Sequence, residues 1–167
     1  MNIDKAIVSK AKKIKLIATD IDGVWTDSKM YYTSEGSFMK SFSTYDGMGT
    51  SMLLKNNFII AMITSEYENI NILKTRAAKL KIKEVYYNEQ DKLSRIKYLS
   101  EKYNLTLSNI AYIGDDLNDL EVLKAVGFSA LAGNSPIIDQ FTPNYITTRH
   151  GGNGAFREFA DIILNAQ

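Results

Sequence analysis

The feature that most constrains the fold is a regular alternation of short apolar runs with longer amphipathic stretches. Six runs have the length and the side chains of buried strands: Ile14–Thr19, Phe58–Ile63, Glu84–Tyr87, Ile110–Ile113, Phe128–Leu131 and Tyr145–Thr147. Apolar residues recur at helical spacing in the stretches between or after these runs: Met48–Lys55, Ile70–Leu80, Gln90–Tyr103, Leu120–Val126 and Phe156–Ile163. This order predicts an α/β fold, a Rossmann-like parallel sheet with helices on both faces.

One segment departs from this alternation. Two strand-like runs within Trp25–Phe42 flank a Glu-Gly turn, which predicts a β-hairpin flap at about residues 24–42, after the first strand. Residues 1–15 are a short charged lead-in. The length of 167 residues and the lack of a linker indicate a single domain over residues 1–167.

Composition excludes several classes of protein. The chain contains no cysteine, which excludes disulfides, thiol nucleophiles and zinc–thiolate sites. Its 20 basic and 19 acidic residues include no long basic run, so we expect no nucleic-acid partner. No window approaches the roughly 20 apolar residues of a membrane helix, and the N-terminus lacks the apolar core of a signal peptide. We therefore expect a cytoplasmic protein with no membrane partner.

Polar residues follow several of the predicted strands at the point where each strand ends. Asp20, Thr64 and Asp115 each come directly after or close to the end of an apolar run. Ligands of doubly wound sheets bind outside the carboxyl ends of the strands, so we expect these residues to converge. Asp20 and Asp22 are two carboxylates that repel one another, and a hard cation such as Mg²⁺ relieves that repulsion. Lys92, at the start of a predicted helix, offers a cation for a phosphate group.

Each of these signals alone has an ordinary structural interpretation. Asp-x-Asp-Gly is a common turn, and Asp116 is a normal helix cap. Lys92 taken alone is typical of a solvated surface lysine, and Thr64 of a helix N-cap. Their occurrence together, in order and each at an element boundary, favours a functional site.

The same residues resemble the motifs of the haloacid dehalogenase-like phosphatases. The four motifs of that family are matched by Asp20–Thr26, Thr64, Lys92 and Gly114–Asp119. The chain is most similar to the capless branch that contains 3-deoxy-manno-octulosonate 8-phosphate phosphatase. Three further stretches support that branch: Tyr45–Gly49, Asp91–Leu93 and Gly151–Glu158.

The resemblance implies a mechanism for the opening carboxylates. Asp20 would attack phosphorus and form an aspartyl-phosphate, and Asp22 would protonate the leaving oxygen and then activate water. Mg²⁺ would be bound by Asp20, by the backbone carbonyl of Asp22 and by Asp115. These roles agree with the chemistry, because a carboxylate nucleophile splits one hard step into two easier ones and phosphoryl transfer needs its charge neutralised.

The resemblance also implies roles for the residues around these carboxylates. Thr64 and Lys92 would hold the phosphoryl oxygens, while Asp116 and Asp119 would support the metal ligands without contacting the ion. Arg149, near the glycine-rich C-terminal segment, is a candidate substrate-binding residue. A magnesium-dependent phosphatase of a small sugar-acid phosphate is the function that follows.

The second motif departs from the branch in a way that bears on the substrate. The octulosonate phosphatases usually carry Ser-Gly-Arg where this chain has Thr64, Ser65 and Glu66. Phosphatases of nine-carbon sugar acids are similar here, with a glutamate and a lysine on the following helix that Lys79 matches. This favours 2-keto-3-deoxy-nonulosonate 9-phosphate or N-acetylneuraminate 9-phosphate, with octulosonate 8-phosphate as the alternative. Alternatively, Glu66 is only a first-turn helix residue favoured by the helix dipole.

The resemblance further implies a homotetramer in which the hairpin packs between subunits. Several aromatic side chains in the segment are consistent with a buried assembly surface: Trp25, Tyr31, Tyr32, Phe38 and Phe42. The alternative is that these side chains only cover their own domain. A non-catalytic tetramerisation module is disfavoured because the motif residues are all present, and a phosphomutase or transferase is disfavoured by the lack of a second domain.

Overall fold

The computed structural model describes residues 4–68 and 70–167 and contains a six-stranded parallel sheet and a separate hairpin. The strands, in chain order, are β1 Leu16–Thr19, β2 Tyr31–Thr33, β3 Gly36–Met39, β4 Ile59–Ile63, β5 Glu84–Tyr86, β6 Ile110–Gly114, β7 Phe128–Leu131 and β8 Tyr145–Ile146. The order across the sheet is β5-β4-β1-β6-β7-β8, and every pairing is parallel. The predicted Rossmann-like sheet is confirmed.

In the described part of the chain, six α-helices cover the two faces of this sheet: α1 Lys5–Ala11, α2 Thr44–Lys55, α3 Ile70–Leu80, α4 Lys92–Lys102, α5 Leu120–Ala125 and α6 Ala155–Asn165. Alternate residues of β1 point to opposite faces, so Ile17 packs in one core cluster and Leu16 and Ala18 in the other. Both faces are buried, which explains why the strands appear as continuous apolar runs. Within residues 4–68 and 70–167, no helix has the length and apolar character needed to cross a membrane.

The chain passes from β1 outward to β4 and β5, and then crosses back to β6, which lies on the other side of β1. The order of the strands therefore reverses beside β1. Such a reversal leaves a crevice outside the carboxyl ends of the two strands, where connections diverge to opposite sides. The fold alone places a binding cleft next to Asp20 and Asp115.

The charged lead-in contains a helix that the sequence pattern did not indicate. Residues 5–11 form helix α1, whose N-cap Asp4 accepts a hydrogen bond from the backbone N–H of Ala6 at 2.8 Å. Ala11 is fully buried against the core. A seven-residue helix with one buried residue has too short an apolar stripe for sequence periodicity to reveal it.

The hairpin is shorter than predicted. Strands β2 and β3 pair antiparallel with a register shift between Tyr31 and Tyr32, whereas Trp25 at the start of the predicted flap is fully buried. The Trp25 ring stacks on Phe156 with 4.4 Å between centroids. Trp25 is therefore a core residue of its own domain and not part of an assembly surface. Tyr32 is 63% exposed, and the side chain of Phe38 lies outside the described part of the chain.

Candidate active site

Asp20, Thr64 and Asp115 converge at the carboxyl edge of three neighbouring strands, as predicted. The backbone continues the sheet ladder past the strands, because the N–H of Asp20 donates to Ile113 at 3.0 Å and that of Thr64 to Tyr86 at 3.0 Å. A cavity of about 470 Å³ opens there, and we call it the strand-end cavity. Its lining residues are Asp20, Asp22, Ser28, Met30, Asp115, Asp116, Leu117 and Asn118.

A smaller cavity of about 220 Å³ shares four of these residues with the strand-end cavity. Its other lining residues come from the second motif and the turn that follows: Thr64, Ser65, Glu66 and Tyr67. Together, the two cavities gather most of the predicted site residues. Lys79 and Arg149 line neither of them.

The loop after β1 is a tight turn that fixes the two opening carboxylates. The backbone N–H of Trp25 donates to the carbonyl of Ile21 at 2.8 Å, and its indole Nε1 donates to Thr19 at 3.1 Å. Gly23 has a φ of +87°, and a Cβ there would lie 1.8 Å from Oδ2 of Asp115. Only glycine therefore allows the Asp115 carboxylate to approach the loop, which explains the glycine of the first motif.

The glycine-rich C-terminal segment supports this loop from the other side. A Cβ on Gly151 would lie 1.9 Å from the carbonyl oxygen of Gly23, and the N–H of Gly152 donates to Val24 at 3.1 Å. Arg149 is exposed, with its guanidinium 5.8 Å from the ring centre of Tyr45. In this chain, then, the segment packs against the first motif, and Arg149 is not among the residues that line the strand-end cavity.

Lys92 lies at the centre of the charged groups. Its buried ammonium is 2.9 Å from Oδ1 of Asp20 and 2.7 Å from Oδ1 of Asp119. Asp119 also accepts from the hydroxyl of Tyr112 at 2.6 Å and from the backbone N–H of Asp115 at 2.9 Å. Both Asp119 oxygens are therefore held by protein donors, and this residue orients Lys92 and the loop of Asp115.

Asp116, predicted to have a similar supporting role, lies differently. It is exposed and caps the short 3-10 helix of residues 117–119, accepting from the backbone N–H of Leu117 at 2.7 Å. Its carboxylate thus orders the turn after β6. Of Asp116 and Asp119, it is Asp119 that contacts Lys92.

The electrostatics of the site favour a bound cation. Burial, with the nearby charge of Asp119, raises the pKa of Asp20 from 3.8 to about 7 although Lys92 opposes the shift. Burial and the charge of Asp20 raise the pKa of Asp115 from 3.8 to about 8. Carboxylate oxygens of Asp20, Asp115 and Asp119 lie within 4.8 Å of one another. One lysine does not balance this group, and hard carboxylate oxygens at this spacing suit Mg²⁺.

Asp22 has a partner that the sequence did not reveal. The ammonium of Lys40, the residue after β3, lies 2.7 Å from each Asp22 oxygen and 3.3 Å from Oε2 of Glu66. Thr26 also donates to Asp22 at 3.3 Å. Lys40 belongs to no recognised motif, and its position depends on how the hairpin folds back over the site. A lone lysine within a predicted strand gave no signal for this role.

The second motif forms a closed turn in which Glu66 already has partners. Its Oε1 accepts from the backbone N–H groups of Tyr67 and Glu68 at 2.9 and 2.8 Å. The N–H of Glu66 donates to the Thr64 hydroxyl at 3.0 Å, and the Ser65 hydroxyl donates to Glu89. Helix α3 begins only at Ile70, so the interpretation of Glu66 as a first-turn helix residue was wrong.

The lysine that pairs with Glu66 in the described part of the chain is Lys40, at 3.3 Å, and not Lys79, which the resemblance matched to the lysine of the nine-carbon phosphatases. Lys79 is exposed on α3 and lines a separate cavity of about 490 Å³. That cavity also contains Lys40, Phe42 and Arg76. Lys40, directly after β3, lines this cavity and also contacts Asp22 and Glu66, which line the smaller cavity near Asp20. The hairpin therefore separates the cavity of Lys79 from the cavity of Glu66.

The chain is similar to known proteins over most of its length. Residues 4–154 match the family described as haloacid dehalogenase-like hydrolase. The 3-deoxy-D-manno-octulosonate 8-phosphate phosphatase of Haemophilus influenzae is 36% identical over 158 residues, which cover 95% of this chain and 87% of that protein. The enzyme of the same name from Escherichia coli strain K12 is 35% identical over 162 residues, covering 96% and 85%.

Solved structures agree with these relatives. The 3-deoxy-D-manno-octulosonate 8-phosphate phosphatase of Moraxella catarrhalis, in complex with magnesium, phosphate and KDO, superposes with a TM-score of 0.91 at 40% identity, covering 96% of this chain and 91% of that one. The Yersinia pestis enzyme of the same name gives a TM-score of 0.92 at 32% identity, covering 99% and 88%.

Proposed function

The chain belongs to the haloacid dehalogenase-like hydrolases, and from this premise we propose that it is a magnesium-dependent phosphatase acting on 3-deoxy-D-manno-octulosonate 8-phosphate. The observation that carries the proposal is the Asp20 carboxylate. It lies 2.9 Å from the buried Lys92 ammonium, beside Asp115, and at the wall of an open cavity. A carboxylate in such a place can reach a phosphoryl group in the cavity, and the Lys92 ammonium offsets part of the repulsion between the two negative charges.

The first step transfers the phosphoryl group to the protein. A carboxylate oxygen of Asp20 attacks phosphorus, the new P–O bond forms an aspartyl-phosphate, and the bond between phosphorus and the sugar oxygen breaks. Asp22 gives its proton to that departing oxygen, which leaves as an alcohol. Lys92 and the Thr64 hydroxyl hold the phosphoryl oxygens during the transfer.

The second step regenerates the protein. Asp22, now ionised, removes a proton from water as the water oxygen attacks phosphorus, and the bond to Asp20 breaks. Inorganic phosphate leaves, and Asp20 returns to its carboxylate form. One residue thus acts as acid and then as base, which requires that its carboxyl group stay correctly placed through both steps.

Asp20, Asp115 and the backbone carbonyl of Asp22 would hold Mg²⁺. When bound, the ion neutralises charge on the phosphoryl oxygens and on the nucleophile. The magnesium prediction is supported by the fit of the carboxylates described above and by the magnesium complex of the Moraxella catarrhalis relative.

The relatives favour the eight-carbon substrate over the nine-carbon sugar acids that the second motif suggested. Their names specify the octulosonate phosphate, and Glu66 is already paired with Lys40 and two backbone N–H groups. A nonulosonate 9-phosphate remains the second candidate, because Thr64-Ser65-Glu66 still differs from the usual Ser-Gly-Arg.

A substrate panel tests the proposal. We expect Mg²⁺-dependent phosphate release to show the highest kcat/KM for 3-deoxy-D-manno-octulosonate 8-phosphate, above the two nonulosonate 9-phosphates. Asp20→Asn should remove activity toward all three, since it deletes the nucleophile. A preference for a nonulosonate would overturn the choice of substrate, and equal activity with and without Mg²⁺ would overturn the mechanism.

The proposal includes a single domain over residues 1–167, a cytoplasmic location and a homotetramer. The support for the homotetramer is the exposed apolar surface of the hairpin, where Met30, Tyr31, Tyr32 and Met39 are 38–63% exposed. Exposed apolar side chains gathered on one projecting element are typical of an interface.

A further inference from the structure

We propose that Lys40 is a positioning residue for Asp22, so that the hairpin sets the proton-transfer step of the reaction. This inference rests on the proposed phosphatase function and deepens it. It assigns a mechanistic role to a residue outside the four motifs. It also assigns the hairpin a task in the chemistry besides covering the site.

The contacts of Lys40 support this role. Its ammonium lies 2.7 Å from both oxygens of Asp22, and its side chain is only 1% exposed. The Asp22 side chain is 28% exposed, so it faces the strand-end cavity with one side and Lys40 with the other. Within the described residues, Lys40 and Thr26 are the hydrogen-bond donors to this carboxylate.

Charge explains why the arrangement is stable. A buried ammonium is costly unless it is paired, and Lys40 is paired twice, with Asp22 and with Glu66 at 3.3 Å. Glu66 is itself fixed by the backbone N–H groups of Tyr67 and Glu68. Glu66 therefore anchors Lys40, and Lys40 in turn holds both oxygens of Asp22.

The sequence position of Lys40 connects this chain of contacts to the hairpin. Lys40 directly follows β3, whose partner β2 is exposed along its length. Met30, just before β2, lines both cavities. The path of the hairpin thus decides where the Lys40 ammonium lies, and through it where the Asp22 carboxyl group lies.

A purely structural role would have Lys40 only hold the hairpin against the domain. The two roles predict different effects on kcat/KM when Lys40 is replaced and substrates with different leaving groups are compared. Proton donation by Asp22 matters more as the departing oxygen becomes more basic. Loss of folding, or of the positive charge that attracts phosphate, lowers kcat/KM by the same factor for every substrate.

The test uses aryl phosphates whose leaving groups span a range of basicity, from p-nitrophenyl to unsubstituted phenyl phosphate. kcat/KM reports the steps up to departure of the leaving group, so hydrolysis of the aspartyl-phosphate does not affect it. In Lys40→Met, we expect kcat/KM to fall on the order of 10- to 100-fold for phenyl phosphate and much less for p-nitrophenyl phosphate. Lys40→Arg should restore part of the loss. Asp22→Asn should show the same steeper dependence of kcat/KM on leaving-group basicity as Lys40→Met.

The matched control is Lys29→Met, which removes a lysine that is paired with Asp27 at 3.1 Å but is exposed to solvent. Lys29→Met should leave the dependence of kcat/KM on leaving-group basicity unchanged. A uniform loss in Lys40→Met, or no loss, would overturn the inference, as would a further steepening when Lys40→Met is added to Asp22→Asn. An inactive wild-type protein would instead count against the proposed function itself.

Discussion

At the scale of single residues, the site is a set of buried charged side chains that stabilise one another through ion pairs and hydrogen bonds. Lys92 is buried because Asp20 and Asp119 accept from it, and Asp119 is buried because Tyr112 and two backbone N–H groups also donate to it. The remaining imbalance falls on Asp20 and Asp115, whose pKa values are raised to about 7 and about 8, first by burial. This imbalance predicts how pH and metal act together.

Raised carboxyl pKa values make the metal-free protein bind more protons folded than unfolded. The stability contributed by Asp20 and Asp115 is fully present below about pH 3.8 and is lost as pH rises through about 7 and about 8. Mg²⁺ binds the ionised carboxylates, so it should raise the melting temperature by on the order of 5 °C at pH 8.5 and far less at pH 5.5. Thermal unfolding with and without Mg²⁺ measures this.

Asp115→Asn is the control for that measurement. It removes one metal ligand and one raised carboxyl group, so most of the Mg²⁺-dependent gain at high pH should disappear. An equal gain from Mg²⁺ at both pH values, in wild type and variant alike, would mean that the ion binds elsewhere on the protein.

At the scale of elements, the loop after β1 depends on a segment more than a hundred residues later in the chain. Gly151 and Gly152 lie against Gly23 and Val24 so closely that side chains cannot fit between them. The sequence pattern identified both stretches as motifs but could not show that they touch. Their contact explains why the C-terminal motif is rich in glycine without a direct role in the chemistry.

We expect Gly151→Ala to damage the site through this contact. The new methyl group would lie 1.9 Å from the Gly23 carbonyl oxygen, so the loop must shift, at a cost of about 1–3 kcal/mol in the free energy of unfolding. kcat/KM should fall with it, because Gly23 adjoins Asp22 and fits against Asp115. Denaturant unfolding and steady-state kinetics measure the two effects.

Asn153→Ala, at an exposed position of the same segment, should change neither quantity appreciably. If Gly151→Ala behaved like Asn153→Ala, the close packing of the segment against the first motif would be contradicted.

The elements themselves were predictable where their patterns were long. The six sheet strands were placed within two residues at each end because buried parallel strands produce continuous apolar runs. Helix α1 was missed because it buries a single residue, which is too few to produce a helical pattern of apolar residues. The hairpin was recognised, but its start was placed too early, because the predicted hairpin includes Trp25 although this residue packs in the core.

At the scale of the whole molecule, the strand order explains why motif residues far apart in sequence could be assigned to one site. Parallel strands place their carboxyl ends on one edge, so Asp20, Thr64 and Asp115 had to meet. Contacts that depend on how loops fold over that edge were not predictable. Lys40 was overlooked and Lys79 was chosen as the substrate-binding lysine for the same reason, because sequence periodicity does not determine where a hairpin packs.

The central claim is that Asp20 receives the phosphoryl group, and a phosphoenzyme measurement tests it most directly. Asp22→Asn retains the nucleophile but lacks the base that activates water, so the intermediate should accumulate with p-nitrophenyl phosphate and Mg²⁺. Mass spectrometry after acid quenching should then find one phosphoryl group on the peptide that contains Asp20. Phosphate release by the wild type, with no phosphoryl group on that peptide in the variant or with one on another residue, would contradict the account.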